Sequence, residues 1–135
     1  MVVLVLNKLA ISDSAQNWSL AMPHFVTIVV EDDTFQREAI ADLLKDKALE
    51  VVECTTAEAA ELVLAATGPE LLALITDVQL DGRMTGVELA EFARDQYPRL
   101  KIVVMSGKAK PKLPERAVFL AKPYHQAELL SAVLS

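Results

Sequence analysis

Four short apolar runs in this sequence each lead into residues that can do chemistry. Leu71-Leu72-Ala73-Leu74-Ile75 ends in Thr76-Asp77, and Val26-Thr27-Ile28-Val29-Val30 ends in Glu31-Asp32-Asp33. Ile102-Val103-Val104-Met105 ends in Ser106-Gly107, and Ala117-Val118-Phe119-Leu120 leads into Ala121-Lys122-Pro123. Runs of this kind read as buried strands. The C-terminal ends of parallel strands are where α/β sheets hold their ligands. Glu31, Asp32 and Asp77 gathered there would repel, each raising the pKa of the others, unless a cation stands among them. Hard oxygen ligands with room left for water suit Mg²⁺ or the similar Mn²⁺. Lys122 adds a fixed cation and Ser106 a hydroxyl donor. A divalent ion, a lysine and a hydroxyl around one carboxylate can stabilise the equatorial oxygens of a transferring phosphoryl group. Asp77 is then the nucleophile, and it becomes an acyl phosphate.

Each of these residues also has a purely structural reading. Asp77 as a helix N-cap fails, because Thr85 already stands where the next helix begins. N-capping of the first helix is assigned to Asp33, which leaves Glu31 and Asp32 for metal. Lys122 alone would pass for a surface lysine; its place after a buried strand, beside the other three runs, favours the site. Phe119 is open between plain core and a functional role. His125 is placed at the start of the last helix without a phosphohistidine role, because a first turn disfavours a cation. His24 reads as an exposed flank, and Lys108, Lys110 and Lys112 as a solvated basic loop.

The elements that must position these groups alternate. Strands are predicted at 25–30, 49–54, 71–76, 101–105 and 117–120, and helices at 34–47, 56–67, 85–96 and 124–134. Such alternation calls for a parallel sheet with right-handed crossovers, one α/β domain. Phe35, Ala39, Ile40, Leu43 and Leu44 are placed on one face of the first helix. Leu89, Ala90, Ala93 and Tyr97 form the predicted stripe of the third, and Leu129, Leu130, Val133 and Leu134 that of the last. Thr55-x-x-Glu58 and Thr85-x-x-Glu88 read as capping boxes, with Asp33-x-x-Gln36 a variant. Gly68-Pro69 ends the second helix, and Pro98 follows the third. Between the fourth and fifth strands, Gly107, Pro111 and Pro114 leave no room for a full crossover helix, so a loop or at most one helical turn is predicted there.

The 135 residues suit one domain with a real core; 53% are hydrophobic and 24% charged, as in a soluble globular protein. A net charge of −6 without a Lys/Arg cluster argues against direct nucleic-acid binding. The lone cysteine, Cys54, excludes an internal disulfide and reads as a small buried hydrophobe. No apolar run is long enough to span a bilayer. Residues 1–22 read as an appendage to a domain at 23–135, with Met22 a plausible alternative start. The apolar patch Val2-Val3-Leu4-Val5-Leu6 favours packing on a sheet edge or partner over free solution, whereas 11–20 is polar and irregular around the lone Trp18.

Val29-Val30-Glu31-Asp32-Asp33, Thr76-Asp77, Val104-Met105-Ser106-Gly107 and Lys122-Pro123-Tyr124 together resemble the signature of the response-regulator receiver domain, over residues 25–134. The resemblance implies a doubly wound five-stranded parallel sheet of flavodoxin-like order 2-1-3-4-5, counting strands from the run at 25–30. It implies Mg²⁺ bound directly by Asp32, mainly through water by Glu31, by the phosphoacceptor Asp77, and by the backbone carbonyl of Gln79. Ser106 matches the hydroxyl that bonds the phosphoryl group, Lys122 the family's lysine, and Phe119 its aromatic switch. Two features depart from the family. Lys122 follows Ser106 by only 16 residues, so the fourth helix is shortened or absent, and dimerisation through that face is put in doubt. The loop after Asp77 is slightly longer than the commonest form. The shortened pattern, with Ser106-Gly107-Lys108 and Lys122-Pro123-Tyr124, is similar to receivers of bacterial hybrid or HWE-type sensor kinases.

The function so implied is that of a cytoplasmic single-domain response regulator. It would take a phosphoryl group from a sensor histidine kinase or histidine phosphotransfer protein and signal by contact with a downstream protein or within a phosphorelay. This reading expects no output domain after Ser135, although a receiver cut from a hybrid kinase would read identically. The implied state is a monomer or weak dimer, without nucleic acid or membrane, and it is not a turnover enzyme. Two competing readings are a phosphorylation-independent pseudo-receiver and a haloacid-dehalogenase-type phosphatase. The complete set of Glu31, Asp32, Asp77, Ser106 and Lys122 opposes the first. Gln79, standing where the second needs an acid, opposes the other.

Overall fold

The computed structural model describes residues 2–4, 25–67 and 70–135. In chain order the elements are β1 (Val2–Leu4), β2 (Val26–Val30), α1 (Thr34–Lys45), β3 (Glu50–Cys54), α2 (Ala57–Thr67), β4 (Leu71–Asp77), α3 (Gly86–Gln96), β5 (Lys101–Ser106), β6 (Val118–Ala121) and α4 (Gln126–Leu134). They build one sheet in the order β1-β3-β2-β4-β5-β6. β2 to β6 are parallel, so those five strands run 2-1-3-4-5 when counted alone, the predicted doubly wound order. β1 adds an antiparallel edge, Val2 opposite Cys54 and Leu4 opposite Val52. Residues 5–24 lie outside the described residues, and with them Trp18, Met22, His24 and most of the predicted appendage; so does the Gly68-Pro69 helix stop.

Side chains on a strand alternate between faces, and both faces of this sheet are covered. Ile28, Val30, Val52, Cys54, Leu74, Ile102 and Val104 point to one side, against Ala57, Ala60 and Leu64 of α2 and Leu89, Ala90 and Ala93 of α3. Val29, Val51, Ile75, Val103 and Met105 point to the other, against Ile40, Ala41 and Leu44 of α1 and Leu129 and Val133 of α4. Cys54 is fully buried; burial pushes its thiol up to about 12, and it behaves as core rather than as a nucleophile. Among the described residues, no helix is long and apolar enough to cross a membrane.

Three local expectations need correction. The buried stripe of α1 is Arg37, Ile40, Ala41 and Leu44, and Phe35 is 87% exposed. Arg37 turns inward because its Nε meets Glu53 Oε1 at 3.3 Å and its Nη1 donates to the Glu31 carbonyl at 3.1 Å, and the helix rotates Phe35 outward. The cap of α2 is Thr56, whose hydroxyl accepts from Ala59 N at 3.1 Å; the predicted box on Thr55 is one residue early, and the Glu58 carboxylate goes elsewhere. On α4, Leu134 is 51% exposed, although Leu129 and Val133 are buried as predicted.

Two capping signals and the predicted loop hold. Thr85 and Glu88 form a reciprocal capping box, with hydrogen bonds of 2.9 and 3.1 Å. Asp33 accepts from Gln36 N at 2.9 Å. No helix forms between β5 and β6. Residues 107–117 cross as a loop instead, packing Leu113 and Ala117 on the core. Arg94 of α3 ties that loop down, donating to the carbonyls of Glu115, Pro98 and Leu100 at 3.0, 3.0 and 2.7 Å.

Candidate phosphoacceptor site

Parallel pairing brings the chemistry-bearing residues to one edge. Val30 lies opposite Thr76, Asp77 opposite Met105, and Ser106 opposite Ala121. Backbone bonds continue the ladder past the strands: Glu31 N donates to Cys54 O at 3.0 Å, Val78 N to Met105 O at 2.9 Å, and Lys122 N to Ser106 O at 2.8 Å. Glu31, Asp32, Asp77, Ser106 and Lys122 thus converge because the strands before them are in register.

Carboxylate oxygens of Glu31, Asp32 and Asp77 lie within 4.8 Å of one another. Glu31 is only 1% exposed and Asp77 8%. Lys122 Nζ reaches Glu31 Oε1 at 2.9 Å and Asp77 Oδ2 at 3.2 Å. The other Asp77 oxygen accepts from Val78 N at 3.1 Å, Glu31 Oε2 from Asp33 N at 3.1 Å, and Asp32 Oδ2 from Asp81 N at 3.2 Å. Burial raises the pKa of Glu31, and Asp77 adds like-charge repulsion, while the Lys122 ammonium opposes both. Burial also works against the charge on Lys122, but its bond to Glu31 and the attraction of Asp77 and Glu31 outweigh that and hold its pKa above the ordinary lysine value. One ammonium among three carboxylates leaves a surplus of two negative charges. That surplus and the all-oxygen donor set fit a divalent hard cation.

The remaining predicted residues divide. Ser106 is 1% exposed; its hydroxyl donates to Gln79 Oε1 at 3.3 Å and accepts from Lys108 N at 3.0 Å. Gln79 therefore touches the site through its side chain, a contact not foreseen for it. Phe119 is half-buried on β6. His125 is the N-cap residue of α4, and its N–H donates to Glu128 Oε1 at 2.8 Å. Sequence reasoning missed two further residues. Gln36 accepts from Lys122 Nζ at 2.7 Å; the available signal was that α1 starts directly after the acids, so its first turn borders the site. Glu58 accepts from Arg83 N at 2.8 Å and Met84 N at 3.2 Å, holding the loop after Asp77 against the start of α2.

A buried carboxylate at the end of the central strand, flanked by two acids, a lysine and a hydroxyl on neighbouring strands, is the arrangement that decides the family, and the family model for the response regulator receiver domain matches residues 27–134. The chain belongs to that family. This receiver is 29% identical over 119 residues to the transcriptional regulatory protein FixJ of Azorhizobium caulinodans, covering 83% of this chain and 55% of the relative. It is 35% identical over 112 residues to the response regulator protein FleR of Pseudomonas aeruginosa, covering 78% of this chain and 23% of the relative. The chain thus spans about half the length of the first relative and less of the second. Among solved structures it is similar to a receiver protein from Sinorhizobium medicae (TM-score 0.74, 24% identity, 81% of this chain and 90% of that one). It is also similar to the receiver domain of the hybrid histidine kinase CckA (TM-score 0.71, 27% identity, 80% of this chain and 94% of that one). Receiver domains are signalling modules rather than turnover enzymes.

Proposed function

We propose that residues 23–135 form a receiver whose Asp77 accepts a phosphoryl group from a sensor histidine kinase or a histidine phosphotransfer protein, and that it signals by contact with a downstream protein or within a phosphorelay. The observation that carries this reading is the buried Asp77 carboxylate, held by Lys122 in a pocket whose acids outnumber its cation. An Asp77 oxygen attacks phosphorus, the P–O bond forms, and the P–N bond breaks with its electron pair leaving on the donor imidazole. Glu31, Asp32, Asp77 and the Gln79 carbonyl are the groups to hold Mg²⁺ or Mn²⁺, which when bound offsets the charge on the phosphoryl oxygens. Lys122 and Ser106 provide an ammonium and a hydroxyl for those same oxygens.

Phosphorylation adds roughly −2 of charge. Ser106 would then leave Gln79 for the phosphoryl group, and Phe119, opposite Val104 in the β5–β6 pairing, is the candidate switch that carries the change to the surface. Residues 107–117 form a loop, so that surface is β6, α4 and the loop rather than a helix. The proposed protein is cytoplasmic and a monomer or weak dimer, with residues 1–22 an appendage.

Intact-mass spectrometry after incubation with phosphoramidate and Mg²⁺ tests the reading. A single phosphate adduct is expected, absent with chelator and in Asp77→Asn. No adduct, together with no Mg²⁺-dependent binding of beryllofluoride, would leave a phosphorylation-independent binding module.

A further inference from the structure

The valence of the Lys122 ammonium is full. It carries three N–H donors, and three acceptors take them: Gln36 Oε1 at 2.7 Å, Glu31 Oε1 at 2.9 Å and Asp77 Oδ2 at 3.2 Å. A lysine that is to meet a phosphoryl oxygen must therefore release one of them. Releasing Glu31 would leave a carboxylate that is 1% exposed without its cation, which is costly. Asp77 is the acceptor of the phosphoryl group and stays beside it. Gln36 is neutral and exposed. Releasing it costs less than stranding the buried Glu31 carboxylate, only the net worth of one hydrogen bond, because water can replace the lysine on its amide. Its side chain opens onto a groove of about 520 Å³ between α1 and α4, which Lys122 and Tyr124 also line.

We propose that Gln36 is a positioning residue of the site, an uncharged latch that holds the Lys122 ammonium beside Asp77 before phosphorylation and competes with the incoming phosphoryl oxygen for its third N–H. This rests on the phosphoacceptor reading above. The latch is separable from the helix it stands on, because the cap of α1 uses the Gln36 backbone N–H and the Asp33 carboxylate, not the Gln36 side chain. Methionine at 36 keeps length and helix propensity and removes the acceptor.

The test is beryllofluoride affinity with Mg²⁺, read by ¹⁹F NMR on wild type, Gln36→Met and Gln36→Glu. Gln36→Met is expected to bind about threefold to tenfold tighter than wild type, the worth of one hydrogen bond no longer broken. Gln36→Glu keeps an oxygen at the same reach and is expected to bind no tighter than wild type. The ¹⁵Nζ resonance of Lys122, without beryllofluoride, should shift in Gln36→Met and not in Glu38→Gln, a change on the same helix away from the lysine. Unchanged or weaker binding by a folded Gln36→Met overturns the latch, and so does equal tightening in both position-36 variants. Should Gln36→Met fail to fold, Gln36→Ser carries the same expectation. If wild type itself binds no beryllofluoride, the phosphoacceptor reading fails, and the latch with it.

Discussion

Gly86 packs against the backbone of Asp77 so closely that a Cβ on it would stand 1.8 Å from the Asp77 carbonyl oxygen and 2.9 Å from Thr76 Oγ1. The first residue of α3 is thereby seated on the end of β4, with Gly86 N donating to Val78 O at 3.0 Å. Backbone atoms cannot yield as the tip of a flexible side chain can. Gly86→Ala is expected to push α3 and Asp77 apart, costing about 3 kcal/mol and most of the phosphate adduct. Thermal unfolding and intact-mass spectrometry check the two effects together. A stable Gly86→Ala protein that accepts phosphate normally would show that this contact does not set the Asp77 position.

Glu58 anchors the other end of the same loop. Gly82, at φ 99°, leaves room for the Glu58 carboxylate, since a Cβ there would meet Glu58 Oε1 at 2.8 Å. The N–H of Arg83 holds the Glu58 pKa below the usual carboxylate value, with Met84 helping. A group whose pKa is depressed by folding stabilises the fold above its unfolded value, and that stabilisation is lost as pH falls through the folded value. Amide proton shifts of Arg83 and Met84 are expected to stay constant from neutral pH down past the ordinary glutamate range and to move only below it. In Glu58→Gln that movement should vanish. Identical titrations in wild type and variant would refute the anchor.

Arg94 stands in for a missing helix. Its guanidinium gathers carbonyls from both ends of a polar crossing, Glu115 on the loop and Pro98 and Leu100 before β5. Arg94→Ala is expected to lose about 2 kcal/mol, because the buried Leu100 carbonyl and the partly buried Glu115 carbonyl lose their donor. Arg94→Lys should recover less than half of that, since one ammonium cannot reproduce a planar fork. Chemical denaturation measures both, and full recovery by lysine would mean that charge rather than geometry holds the loop.

Ala48 follows α1 with φ 61°, a left-handed backbone that a Cβ disfavours. Nothing bulky is gained by an alanine there. Ala48→Gly is expected to stabilise the protein by about 1 kcal/mol, read as a shift of the denaturation midpoint. Arg116 also lies at positive φ, 62°, but its Nη2 donates to Pro98 O at 2.8 Å. Glycine at 116 should therefore give no comparable gain.

What the sequence determined by itself was whatever local pattern encodes. Apolar runs placed β2 to β6 within a residue or two of their ends, because burial on both faces requires continuous apolar residues. Prolines and a glycine excluded a helix from 107–116, and Thr85 with Glu88 marked the start of α3, because each acts on its neighbours along the chain. The acids, hydroxyl and lysine at the strand ends followed from the parallel order. The tertiary structure decided what depends on partners far apart in the chain. The face of α1 turned on Arg37 meeting Glu53 across the sheet, so Phe35 was left outside. The carboxylate of Glu58 found its donors 25 and 26 residues away, and the amide of Gln36 found Lys122 86 residues away. A hydrophobic pattern states which side of an element faces in, but a polar side chain goes to whichever donor or acceptor the fold brings within 3 Å, and only the assembled sheet chooses that neighbour.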